Sequence, residues 1–152
     1  MGTLHLIPDR IQGCENPMDV VSKALRYFSL HGSDSLPIPD LAEALEVSED
    51  CLEYSFDHVR GMTTAQALLV HRLNRLFTVL SSEPRQTLDH AIRRCGLGQT
   101  RGVVPLFEQT FGIEMALFLL TCRRAAEDRI FRREHQEPHE LVLTSPASSP
   151  NS

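Results

Sequence analysis

Tryptophan is absent from this chain, aromatic residues make up 6% of it, and lysine is nearly missing: fourteen of the fifteen basic residues are arginine. A core here must be built mostly from aliphatic side chains. No run of about 18 apolar residues occurs, so a membrane-spanning helix is not expected. The first twelve residues carry Asp9 and Arg10 and no long apolar stretch, which excludes a reading as a signal peptide. The four cysteines, Cys14, Cys51, Cys95 and Cys122, include no CxxC pair. They read as free thiols of a reducing cytoplasm, and no zinc site is expected. His135 and His139 stand four apart, but Pro138 lies between them in a polar tail and makes a poor metal site. No phosphate loop and no local nucleophile–base pair is present, so the chain does not read as an enzyme and no cofactor is expected.

What is present is a globular composition, 41% hydrophobic over 152 residues, enough for one domain with a real core. The net charge of −5 hides an asymmetry. Residues 1–61 hold four basic and eleven acidic residues, whereas residues 62–133 hold eleven basic and six acidic. The second half could therefore face an anion, or could simply be solvated surface.

Helical spacing dominates. Asn16-Pro17 reads as a cap followed by a helix to about His31, with Met18, Val21, Leu25 and Phe28 on one face. Asp40, with Glu43 three residues on, has the spacing of a capping box for a second helix. Ser48 caps a third helix, which Gly61 closes. A longer helix, about Thr64 to Ser81, carries Leu69, Leu73, Leu76, Phe77 and Leu80 toward the core. Three more follow: about Leu88 to Cys95, Thr100 to Thr110, and Glu114 to Arg133, the last with Met115, Phe118, Leu119, Cys122, Ala126 and Ile130 inward. The fold class is all-α, a seven-helix domain over 17–133. An extension, 1–16, precedes it and a disordered tail, 134–152, follows.

A repeat organises these helices. Leu52, Phe56 and Gly61 recur 51 residues later as Val103, Phe107 and Gly112, each set preceded by a short helix and a turn. Each set describes a helix-turn-helix unit whose second helix packs through its Leu/Val and Phe positions and is released at glycine. The units divide the domain into 17–63, a linker helix over 64–82, and 83–133.

At these residues the chain resembles the AraC/XylS family of bacterial transcription regulators. The first unit, Leu41 to Gly61, is similar to the family pattern. Arg72-Leu73 matches its Arg-Leu pair on the central helix, and Gly96-Leu97 stands where its second turn has Gly-Phe. Phe107, Gly112 and Phe118 keep register. The resemblance implies two helix-turn-helix units joined by a long central helix. It implies a cytoplasmic regulator that binds double-stranded promoter DNA, without an effector-binding domain in this chain. RNA polymerase or another regulator is a further partner it allows.

In such units the second helix enters the major groove. The candidate base contacts are then Asp50, Glu53, Tyr54, Gln99, Thr100 and Arg101, and the candidate phosphate contacts Ser48, Arg72, Arg75, Arg93 and Arg94. The sequence departs from the family pattern in both recognition helices. Glu49, Asp50, Glu53 and Asp57 are expected to project from the first, where phosphates would repel them. Gly102 and Pro105 lie inside the second, so that helix is expected either to begin near Val104 or to kink at Pro105. The alternative to a DNA-binding regulator is a regulator-like fold acting as a protein-interaction module.

Overall fold

Asn16 opens the first helix as its spacing requires. Its side-chain oxygen accepts from the Met18 N–H at 2.9 Å, and Pro17 occupies the first turn. The computed structural model describes residues 16–148, with side chains over 16–135; residues 1–15 of the expected extension lie outside them. Among the described residues there are seven helices and no strand: α1 Pro17–His31, α2 Ile38–Leu45, α3 Glu49–Arg60, α4 Thr64–Ser82, α5 Leu88–Arg94, α6 Thr100–Phe111 and α7 Met115–Ser148.

Local chemistry explains most of the boundaries. Ser48 caps α3 by accepting from the Cys51 N–H at 3.0 Å. Gly61 and Gly112, the repeated glycines, both sit at φ 68°, in the left-handed region that ends a helix without a Cβ penalty. The start of α4 has a full capping box: the Thr63 hydroxyl accepts from the Gln66 N–H, and the Gln66 side chain accepts from the Thr63 N–H. Asp40 is not the cap of α2. That helix begins at Ile38 behind Pro37, with no side-chain cap bond, and Asp40 falls in its first turn. Pro37 and Pro39 fix φ near helical values and set the start earlier. There Asp40 still favours the positive end of the helix.

Two separate cores form. Val20, Ala24, Phe28, Leu41, Leu52, Phe56 and Leu68 fill the first. Leu73, Leu76, Leu80, Ile92, Val103, Phe107, Met115 and Phe118 fill the second. Helix α4 feeds both, changing allegiance between Leu68 and Leu73. Phe56 and Phe107, the repeated pair, are both wholly buried. Around Phe107 lie the rings of Phe111 at 4.7 Å, Phe118 at 5.1 Å and Phe77 at 6.2 Å. Phe77 is nonetheless 37% exposed, at the rim of the core.

The last helix differs from expectation in two ways. Ile130, expected inward, is exposed, because α7 extends past the helices it packs on. The helix also runs beyond Arg133 to Ser148. The cysteine reading is corrected at one position. Cys51 is disulfide-bonded, while Cys95 and Cys122 are free and buried. Spacing along the chain does not report which sulfurs lie within bonding reach, so the cysteine pattern no longer argues for a reducing compartment.

Candidate nucleic-acid interface

The second helix of each unit presents one face to its core and the other outward. On α3 the inward face is Cys51, Leu52, Ser55 and Phe56. Outward stand Glu49, Asp50, Tyr54, Asp57 and His58, with Tyr54 stacked on His58 at 5.5 Å. Glu53 does not join them. It is half-buried, and its Oε1 accepts from the Thr64 N–H at 3.0 Å. The carboxylate therefore serves the first N–H of α4, where helix polarity favours a negative charge. Ser48 is likewise committed to its cap. Three exposed carboxylates remain on this helix, not the four expected.

On α6 the inward face is Val103 and Phe107. Arg101, Gly102, Pro105, Leu106, Gln109 and Thr110 are exposed. The helix does not begin near Val104: its cap is Gln99, and Pro105 lies inside it. Pro105 has no N–H to give the Arg101 carbonyl, so that oxygen is left without its helical donor, on the outward side. Glu108 mirrors Glu53 in function but not in register. Its Oε2 accepts from the Met115 N–H, the first of α7, at 2.9 Å. Thr100 donates its hydroxyl to Asp89 on α5, which ties the start of α6 to the preceding helix.

The arginines divide into committed and uncommitted. Arg94 pairs with Glu83 at 3.0 Å and also reaches Gln86. Arg72 donates from Nε to the Gly32 carbonyl at 2.6 Å and from its terminal nitrogen to the Asp34 carbonyl at 2.7 Å. Burial lowers its pKa, yet a guanidinium at this position stays charged. Arg93 and Arg101 are exposed, and their side chains make no hydrogen bond or ion pair among the described residues. Arg75 borders a shallow hollow of about 270 Å³ with His71, Asn74 and Ser29. Of the candidate contacts, Gln99, Thr100 and Arg101 thus share the start of α6, with Arg93 on the helix before it. Glu53, Ser48, Arg72 and Arg94 are engaged in holding the fold. The cap at Ser48 was legible locally, whereas Glu53, Arg72 and Arg94 had no local signal, since each partner lies on another helix or loop. Gln109 and Thr110 are exposed further along α6. His135 holds the Phe131 carbonyl at 2.9 Å; the side chain of His139 lies outside the described residues. Among the described residues no single helix is long and apolar enough to cross a membrane.

No protein-family model matches the chain, and no curated protein matches it in sequence. Two solved structures are similar. One is described as a transcriptional regulator (AraC-type DNA-binding domain-containing proteins) from Chromobacterium violaceum, with TM-score 0.65, 19% identity, and 69% of this chain and 93% of that one covered. The other is the C-terminal domain of AraT, a response regulator from Geobacillus stearothermophilus, with TM-score 0.59, 21% identity, and coverage of 67% and 84%. With two units of matching design on a shared central helix, the chain has the AraC/XylS-like double helix-turn-helix fold.

Proposed function

We propose that the protein is a DNA-binding transcription regulator of AraC/XylS type whose second unit does most of the holding. The observation that carries this reading is the exposed start of α6. Arg101 stands beside Gln99 and Thr100, with no acidic partner among the described residues, on a helix that an AraC-type fold would aim at the major groove. An arginine there can bridge a guanine in bidentate fashion. Arg93 adds a cation suited to phosphate. The test is titration of random-sequence and selected duplexes at about 50 mM salt, where phosphate contacts are strongest. Salt-sensitive binding that weakens in Arg101→Ala is expected; no retention of any duplex overturns the reading.

One observation favours the alternative of a protein-interaction module. The outward face of α3 keeps Glu49, Asp50 and Asp57, and duplex DNA repels carboxylates. Such a module would engage RNA polymerase or another regulator. A reproducible complex with one such partner, combined with no DNA binding, would decide for it.

A further inference from the structure

The two cores share no side chain, α4 alone contributes residues to both, and no helix of the first unit packs broadly on α5, α6 or α7. Both halves pack on α4, so this one helix carries their relative orientation unless a second contact joins them. One place does. The loop Gly32–Asp34, at the end of α1, is gripped from two sides. Arg72 on the central helix takes the carbonyls of Gly32 and Asp34 with two arms of one guanidinium. Gly96, in the turn of the second unit, presses on the residue between them. A Cβ placed on Gly96 would stand 2.6 Å from the Ser33 carbonyl oxygen and 2.9 Å from its carbonyl carbon. That approach is open only to glycine, and Gly96 also holds φ at 77°. Leu36, Pro37 and Leu97 line the cleft beside the contact.

We propose that Arg72, the Gly32–Asp34 loop and Gly96 form a clasp that fixes the two helix-turn-helix units in one relative orientation, making Arg72 a positioning residue for the paired recognition helices. Two readers held at fixed separation bind as one bivalent ligand, and the second binding event costs little further entropy. A planar fork suits this task, because it meets two carbonyls at once with little freedom to lose. The role in DNA recognition rests on the function proposed above, whereas the mechanical role does not.

The test has two arms on the full chain, wild type, Arg72→Ala and Gly96→Ala. Residual dipolar couplings of isotope-labelled protein report whether both units share one alignment. One common alignment is expected for wild type and two for each variant, with the chemical shifts of both cores retained. The second arm uses the duplex that wild type selects from a random pool. It is compared with the same duplex lengthened between its halves by about half a helical turn, roughly five base pairs. Wild type should lose on the order of a hundredfold in affinity on the lengthened site. Arg72→Ala should discriminate the two sites by no more than about threefold, at lower affinity for both. A single alignment retained in Arg72→Ala, or two alignments already in wild type, overturns the clasp. Two alignments with unchanged discrimination overturn its role in recognition. If wild type selects no duplex, the DNA reading fails and the couplings alone decide the clasp. Should Arg72→Ala fail to fold, Gly96→Ala is read by the same couplings.

Discussion

His71 lies on α4 one residue before the clasp arginine, with its ring 5.6 Å from that of Phe28. Burial lowers its pKa below the ordinary 6.5, and the neighbouring cations Arg75 and Arg72 push the same way, while a hydrogen bond with the Phe28 backbone opposes them. The folded protein therefore binds this proton less readily than the unfolded chain. His71 should favour the fold fully above pH 6.5, and this contribution should be lost as pH falls below that value. Denaturant melts across this range should show His71→Gln flattening the decline; an unchanged slope would assign it elsewhere. Thr64 offers a second residue-scale check. It is wholly buried at the start of α4, and its hydroxyl has no hydrogen-bond partner among the described residues. An orphaned hydroxyl costs free energy that an isosteric methyl does not. Thr64→Val should melt at or above the wild-type temperature, and a loss of more than about 1 kcal/mol would mean the hydroxyl is satisfied after all.

At the scale of elements, the two recognition helices are each tied to the helix that follows, by Glu53 and by Glu108. Removing either acceptor orphans the first N–H of a long helix, so Glu53→Ala and Glu108→Ala should each cost about 1 kcal/mol. The two losses should add, because the residues serve different cores. Thermal melts of the double variant check this. Pro105 makes the opposite prediction. It sits inside α6 on the outward face, clear of the core. Replacing it with alanine restores an N–H for the Arg101 carbonyl and should raise stability by roughly 1–3 kcal/mol. A destabilised Pro105→Ala would show that the proline has a packing role. The helices themselves were largely legible in the sequence. Cap and glycine chemistry act within a few residues, so Asn16, Ser48, Gly61 and Gly112 announced their boundaries. Where neighbouring prolines preset the backbone, at Pro37 and Pro39, the stronger-looking Asp40 signal lost.

At the scale of the molecule, charge separates the halves, and the reading in which the second unit grips DNA gives a measurable consequence. Arg93→Ala and Arg101→Ala should each lower the slope of log affinity against log salt by about one if each faces a phosphate. If Arg101 instead meets a base, its loss should relax sequence preference at one position and cost about 1–3 kcal/mol on the selected site. Arg94→Ala should change that slope little, since Arg94 is held by Glu83. Footprint selection and salt titration separate these outcomes.

Periodicity, glycine placement and the repeat of Leu52, Phe56 and Gly61 at Val103, Phe107 and Gly112 sufficed, without coordinates, for seven helices and two units. These are properties of segments a few turns long, and short-range sterics and amphipathic burial set them. Only the tertiary structure decided which charged groups the fold itself consumes. Glu53 caps α4 from another helix, Arg94 pairs back to Glu83, and Arg72 reaches a loop about forty positions earlier. Those partnerships are long-range, and a residue's type at its own position carries no record of them. The doubly helical plan was thus written in the sequence, while packing decided that Arg72 and Arg94 hold the fold and that Arg75, Arg93 and Arg101 stay exposed without a side-chain partner among the described residues.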